Sequence, residues 1–368
     1  MALGTLRRLR TSTAASLLKQ GVSPIAVDFG ATGLKLLQVT LGDSPTLVAA
    51  ATLPTPERLL HDPEKRLAFQ MEQFPRLVKQ AGFRGKRAVC VAPSSRMFVK
   101  HLQLAALDHN AMSEQIDLAL AEQFGERATG YAHREIIVEG VTHAGNRREV
   151  ICLAMPRDLI NSMMRLLRNS KLDPVGIHTE PQALLRATAA FGIRDGDGEK
   201  PPASMLVDIG WSKSTVVIVH GKAPVFARIL DVGGRHFDDA VAARTKLPVE
   251  EARRERIAMT SIEDGSDNAA TLAEPVEMLV DDLGHCQRYH DMLFHDRRVA
   301  RVVFVGGESR QRALCEMIAR RLRLSACLAD PMAGVGRTGK EPSAGIDFGP
   351  SQPGWAVALG ACLRPTDL

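Results

Sequence analysis

Two stretches of the chain place a carboxylate, a glycine and small hydroxylated side chains in the same order. Met205–Val219 reads as an apolar strand ending at Asp208, a turn opened by Gly210, and a second β-branched strand from Ser214 to Val219. Phosphate is the natural guest of such a turn. Glycine lets the backbone approach closely, the turn N–H groups and the Ser212, Ser214 and Thr215 hydroxyls can bond phosphate oxygens, and Asp208 can hold a hydrated Mg²⁺. Ile25–Val39 repeats the pattern with Asp28, Gly30, a small-residue turn and a second apolar strand. Taken singly, an aspartate at a strand end is more often a turn former or helix cap than a metal carboxylate. Two such hairpins, about one domain length apart, point to duplicated halves that grip one phosphate chain from both sides.

The elements that must position these turns follow a doubly wound plan. Pro24–Ala51 reads as a meander, Glu64–Ala81 as a helix with Pro75 inside it, and Arg87–Ala92 as a buried strand whose end faces the ligand side. Phe98–Lys171 then has an order of its own: strand Phe98–Leu104, helix Ala111–Phe124, strands Ala132–Val138 and Glu149–Ala154, and helix Pro156–Ser170. That pattern makes a small α+β insertion. Asp173–His178 returns as a strand, and a helix over Pro181–Phe191 starts at the Glu180–Pro181 pair. The polar, glycine- and proline-rich run Arg194–Pro202 marks the boundary between halves. Beyond it come the Asp208 hairpin, a strand over Pro224–Asp231, and the Gly233–Gly234 pair leading into a helix. A long helix over Glu274–Phe294, a buried strand Arg301–Val305 ending at Gly306 and Gly307, a helix over Ser309–Leu322 and a strand Leu324–Leu328 follow. Trp355–Leu363 reads as a closing helix that packs back on the first half. The expected division is a basic tail at 1–23, a first lobe of 24–97 and 172–194 with the closing helix 355–364, an insertion at 98–171, and a second lobe at 203–350.

Composition sets outer bounds. A length of 368 residues with 45% hydrophobic and 24% charged side chains suits two globular domains. The net charge of +5 is scattered and aromatics make up 4%, so the stacking surface of a single-strand nucleic-acid binder is missing and nucleic acid is not an expected partner. An anionic membrane surface or an acidic partner stays open. Six dispersed cysteines without a Cys-x-x-Cys pair fit a reducing compartment, and the spacing of His285, Cys286, His290 and His295 does not keep ligands on one helix face. No apolar run reaches the length of a membrane span, and the segment before Val27 lacks the continuous apolar core of a signal peptide. With Arg7, Arg8, Arg10 and Lys19 among leucines, it reads either as a tail or as a short basic amphipathic helix touching anionic lipid.

Taken together these motifs resemble the actin-like ATPase superfamily, a two-lobed ribonuclease H-like α/β fold. Within it the chain is similar to the PilM-like type IV pilus assembly proteins, related to the division protein FtsA. In the resemblance Asp28, Gly30, Thr32, Gly33 and Lys35 form a first phosphate motif, Asp208 and Gly210 a second, Val302–Ser309 the adenosine motif and His178–Arg186 the connecting segment. Coverage runs from about Pro24 to Arg364 in the family's order. The resemblance implies that ATP and Mg²⁺ bind between the lobes. Asp28 and Asp208 would hold the cation through water, Thr32, Lys35 and the turn amides would serve phosphate, and Gly233 and Gly234 would lie near it. Gly306 and Gly307 open the nucleoside side, with Glu308 or Arg310 reaching adenosine. Without the resemblance, Gly233–Gly234 is equally a tight strand-to-helix turn. Glu180 is the candidate catalytic group, positioning water for at most a slow ATPase; its other role is a favourable charge at a helix N-terminus. Ala31 and Trp211 depart from the family's turns, and Phe124–Gly130 replaces an aromatic, proline-containing stretch in the insertion.

The insertion corresponds to the FtsA-type 1C subdomain. It implies a cytoplasmic adaptor, peripheral at the inner membrane, that binds the N-terminal cytoplasmic tail of a PilN-like membrane protein and leaves self-association open. Two other functions fit the fold: a sugar- or acetate-type kinase, and an FtsA-like division filament. No aspartate-bearing sugar loop is evident for the first, and Arg364–Leu368 is too short for the membrane helix of the second.

Overall fold

The computed structural model describes residues 21–363, apart from 106–107, 192, 194–201, 260 and 264. The basic tail and the 194–202 connector therefore lie almost wholly outside the described residues. In chain order, β1 (Ile25–Phe29), β2 (Gly33–Val39) and β3 (Leu47–Pro54) form an antiparallel meander, followed by α1 (Pro63–Gln80) and β4 (Arg87–Val91). Asp62 caps α1 by accepting the Lys65 N–H, and proline stands at its first position, where no backbone donor is lost. The insertion contributes β5 (Phe98–Ala105), α2 (His109–Phe124), β6 (Tyr131–His143), β7 (Arg147–Pro156) and α3 (Arg157–Asn169). The first lobe resumes with β8 (Asp173–His178) and α4 (Glu180–Arg186).

The second lobe holds β9 (Ala203–Ile209), β10 (Ser214–His220), β11 (Ala223–Leu230), α5 (Gly234–Thr245), α6 (Val249–Ala258), α7 (Asp267–Leu293), β12 (Val299–Val305), α8 (Arg312–Leu322) and β13 (Ser325–Leu328). The chain ends in a short β14 (Ser343–Ala344) and α9 (Ala356–Leu363). The first sheet runs β14-β3-β2-β1-β4-β8 and the second β11-β10-β9-β12-β13. Leaving β14 aside, both consist of a three-stranded antiparallel meander followed by two parallel strands, so the repeat of hairpins in the sequence is a repeat of sheets. Strands buried on both faces, such as the all-apolar core of β12, carry no alternation because helices cover each side.

Several elements differ from the sequence reading. The helix expected over 181–191 stops at Arg186 and continues as a 3-10 turn, Thr188–Phe191. The one expected from Ser309 divides into a 3-10 turn, Glu308–Arg310, and α8. The long α7 begins seven residues ahead of Glu274, at an N-cap from Ser266, and carries Pro275 within it. In the insertion, Phe124 stacks on Tyr131 at 4.3 Å and meets Phe98 edge-on at 5.1 Å, so the sequence that departs from the family pattern still closes a small aromatic core.

α9 fastens the two lobes. It is almost wholly buried, packs on β1, β2 and β4, and lies so close to α4 that a Cβ on Gly360 would fall 1.8 Å from the Ala183 carbonyl. The turn leading into it reaches both sides: the Pro353 carbonyl accepts the Gly306 N–H at 3.0 Å, and the Gly354 carbonyl accepts from Lys35 Nζ. No helix among the described residues is long and apolar enough to cross a membrane.

Candidate functional site

The site begins with strand register. Asp28 on β1 faces Lys35 on β2, and Asp208 on β9 faces Thr215 on β10, the same place in each half. A cross-strand pair points to one face of the sheet, which brings Lys35 Nζ to 3.7 Å from Asp28 Oδ2. Asp208 ends the strand that pairs in parallel with β12, and Asp28 ends the one that pairs with β4, so both aspartates stand at carboxyl ends of parallel strands. Glu180 enters at the first residue of α4, behind a capping box in which Thr179 Oγ1 accepts the Gln182 N–H and Gln182 Oε1 accepts the Thr179 N–H.

The hairpin turns face one another across a cleft lined by Asp28, Gly30, Thr32, Lys35, Glu180, Asp208, Gly210, Ser212, Gly306 and Gly307. Ala31, Arg66, Ser94, Ser95, Lys213 and Trp211 line it as well. About 70 Å³ of space is open among them. That is well below the roughly 300 Å³ of an ordinary small-molecule pocket, so a nucleotide would require the lobes to part. Trp211 makes the contact that must yield: only 3% exposed, its ring meets His61 of the first lobe edge-on at 5.0 Å. A larger hollow of about 800 Å³ lies between Gln182, Arg186, Lys222 and Leu363, but no set of carboxylates converges there. Chemistry, more than size, selects the narrow cleft.

Asp28, Glu180 and Asp208 crowd about Lys35 in this cleft, while the other charged side chains lining it are engaged, Arg66 with the Leu60 carbonyl, Lys213 with Asp231 and Glu308 with Arg256. Burial raises Asp28 above the ordinary carboxylate range, with Lys35 opposing. Burial likewise pushes the half-buried Glu180 up to about 7; the Thr215 and Ser94 hydroxyls and Lys35 pull it down, while Asp28 adds to the rise. Asp208 is raised well above its usual value by burial and then by Glu180 and Asp28, against Lys35. Carboxylates crowded in a dry site resist joint ionisation, and a divalent cation relieves them. Among the described residues no three His, Cys, Asp or Glu side chains stand close enough to ligate one ion directly. The donor set therefore fits a cation held through its water shell by Asp28 and Asp208, as small, strongly hydrated Mg²⁺ prefers.

Five residues expected at phosphate stand behind the wall instead. Ser214 Oγ donates to the Val232 carbonyl at 2.7 Å and is fully buried. The Thr215 hydroxyl is buried beside Glu180, without a partner at full hydrogen-bond distance. Gly33 packs on β3, where a Cβ would lie 2.9 Å from the Leu53 carbonyl. A Cβ on Gly233 would fall 2.6 Å from the Gly210 carbonyl, and one on Gly234 2.4 Å from Glu308 Cδ, so this pair clamps the start of α5 onto the Gly210 turn. Gly306 is different: at φ +97° it lines the cleft, and a Cβ there would strike Asp208 Oδ1 at 2.4 Å.

Glu308 and Arg310 are already engaged. Arg310 donates to Gln352 Oε1, and Glu308 Oε2 accepts from Arg256 Nη2 at 2.7 Å. Arg256 is fully buried; its Nε donates to Asp238 Oδ1 at 2.6 Å and its Nη1 to Gln311 Oε1 at 3.0 Å. Trp211 Nε1 donates to the other Asp238 oxygen at 2.7 Å. One guanidinium thus ties the Gly210 turn, through Asp238 and Trp211, to the turn after β12. Sequence reasoning missed Arg256, one of several charged side chains on α6. It also missed Gln70, whose amide donates to the Gly30 carbonyl at 2.8 Å and fixes the first turn to α1.

Comparison with known proteins now decides the lineage. The family described as type IV pilus assembly protein PilM matches residues 26–366. The chain belongs to the PilM family. Its structure superposes on that of a PilM–PilN type IV pilus biogenesis complex at a TM-score of 0.74, with 20% identity over 95% of this chain and 99% of the other. At that identity the likeness shows the fold, which is actin-like. MreB5 of Spiroplasma citri bound to ADP matches at 12% identity and TM-score 0.49, covering 93% of this chain and 95% of its own. The ethanolamine utilization protein EutJ from Carboxydothermus hydrogenoformans matches at 15% and 0.45, covering 93% and 89%. In this PilM-family chain the two turns, the connecting helix and the closing helix converge on one cleft.

Proposed function

We propose that this PilM-family protein is a nucleotide-gated adaptor of a type IV pilus, or related secretion, assembly platform, working on the cytoplasmic side of the inner membrane. Mg-ATP would bind between the lobes. The observation that carries this reading is the convergence of Asp28, Asp208 and Glu180 around Lys35 at two facing glycine turns. Asp28 and Asp208 would hold the hydrated cation, Lys35, Thr32, Ser212 and the turn amides would take phosphate, and Gly306–Gly307 would let the nucleoside approach. When bound, Mg²⁺ supplies charge for the phosphate oxygens. Glu180, raised to about 7, can hold or release a proton near neutral pH beside that site. Any turnover would be slow, because Trp211 and His61 cross the site.

The partner's place is a groove of about 350 Å³ between the insertion and the first lobe, walled by Leu153, Met155, Ile160, Met164, Val175 and Ile177 with Arg134 at its side. An apolar groove with one cation suits the short cytoplasmic N-terminal tail of a PilN-like membrane protein. The groove also includes Thr179 and Gln182, the capping pair that starts α4 at Glu180, so tail and nucleotide would act on the same helix. Coupling is then reciprocal: if Mg-ATP tightens the tail, the tail tightens Mg-ATP by the same factor, about five-fold or more for ordinary coupling energies. Titrating a synthetic tail into the full chain with and without Mg-ATP tests this. Equal tail affinity in both states, or unchanged affinity in Met164→Glu, would overturn it.

A further inference from the structure

Where the insertion meets the second lobe, two sheet edges face each other without pairing. β5 is the outer strand of the three-stranded sheet β5-β7-β6, and β11 is the outer strand of the second lobe's sheet. Among the described residues the contact between them includes a single hydrogen bond, from the Ala227 N–H to His101 Nε2 at 3.3 Å, in place of a ladder. Their meeting floor is firm. His101 stacks on Phe226 at 4.6 Å, and the fully buried Glu149 accepts from Tyr289 Oη at 2.6 Å while contacting His101 Nδ1 at 2.7 Å and His143 Nε2 at 2.8 Å.

Above that floor runs a furrow of about 760 Å³. Lys100 from β5, Arg228 from β11, and His285 and Arg288 from α7 line it, all four exposed. Among the described residues no ion pair engages Lys100, Arg228 or Arg288. Of the acids nearby, Glu149 is committed to its three partners and Asp291 to His290 at 2.9 Å, while Asp281 and Asp282 lie on α7 outside the furrow's lining. Val99, partly buried, and Met292, 56% exposed, line it as well.

We propose that this furrow docks an extended, acidic segment of a partner protein whose apolar side chains seat on Val99 and Met292. Two edge strands offer backbone groups to an extended chain. The cations without an ion pair select carboxylates along one face of that chain, and Met292 with Val99 selects its other face. The surface is separate from the nucleotide cleft and from the groove between insertion and first lobe.

The test uses the full chain and two end-blocked, fluorescein-tagged peptides, one alternating glutamate with leucine and one alternating glutamine with leucine, read by fluorescence anisotropy. The acidic peptide should bind at least about ten-fold more tightly than its neutral twin, a difference that shrinks in high salt. Lys100→Glu with Arg288→Glu should weaken it about ten-fold. Arg127→Glu with Arg165→Glu, exposed sites outside the furrow carrying the same charge change, should leave it unaltered, with matching thermal unfolding for both pairs. Equal loss in both pairs, no preference for the acidic peptide, or no binding would overturn the proposal. So would a wild-type dimer that Lys100→Glu with Arg288→Glu dissolves, since the furrow would then belong to a second copy of the chain.

Discussion

Replacing Arg256 with methionine should be among the most damaging single changes in the second lobe. The side chain is fully buried, and its guanidinium holds Asp238 at 2.6 Å, Glu308 at 2.7 Å and Gln311 at 3.0 Å. Burial opposes its charge, yet Glu308 and Asp238 together raise its pKa, so the ion is held in place by its partners. Methionine fills much of the volume but leaves Glu308 without a counter-ion and Asp238 with only the more distant Arg253, 3.9 Å away, which costs about 3–5 kcal/mol for a broken buried pair. With an unfolding entropy of about 0.8 kcal/mol/K for a chain of this length, the melting temperature should fall by about 5 °C. Scanning calorimetry reads that fall, and Glu308→Gln in the same chain should return part of it by removing one stranded charge. Arg256→Lys should recover little, because an ammonium cannot reproduce the fork that binds both acids. A methionine variant melting within about 1 °C of wild type would refute the reasoning, since no comparable penalty would then exist.

Two further changes probe the joints of the fold. Gly360→Ala drives a methyl into the Ala183 carbonyl, so α9 must lift from α4, and denaturant unfolding should show a loss of about 3 kcal/mol; an unchanged midpoint would mean that the helices do not meet as described. The His220–His290 pair, with Nε2 atoms 2.9 Å apart, should make stability fall as pH drops from 6.5 towards 4. Burial, then His290 and Arg297, lower His220 to about 4 against Asp296, and burial also lowers His290 against Asp291. The unfolded chain therefore holds more protons in that window, and acid favours it. The shift is worth roughly 3 kcal/mol at face value and about 1–2 kcal/mol at this half-exposed ring. His220→Leu should flatten the pH dependence by that amount; an identical slope in wild type and variant would remove the pair from the account.

Much of the site was legible because local chemistry fixes it. Asp28 and Asp208 end apolar strands, glycines follow them, and the register that brings Lys35 beside Asp28 needs only a short turn between two strands. Glu180 was legible from the proline after it, which marks a helix start. What failed depended on distance in sequence. Nothing local reveals that Arg256 reaches acids 18 and 52 residues away, or that Gln70 spans 40 residues to the Gly30 carbonyl. Ser214 and Thr215 look like phosphate hydroxyls, but in a hairpin buried on both faces their side chains turn inward, and of this hairpin Asp208 and the turn reach the cleft. Trp211 looked like an intrusion into the phosphate turn. Its indole is tucked onto Asp238 and His61, so it closes the site and leaves the turn intact.

The central claim is that the three crowded carboxylates exist to receive a cation with its nucleotide, and calorimetry of Mg-ATP binding to wild type and Asp208→Asn tests it most directly. The account predicts micromolar-range binding that needs Mg²⁺, releases protons near pH 7 as the raised carboxylates ionise, and weakens by at least about ten-fold in the variant. Binding of equal strength in Asp208→Asn, or independent of Mg²⁺, would contradict it.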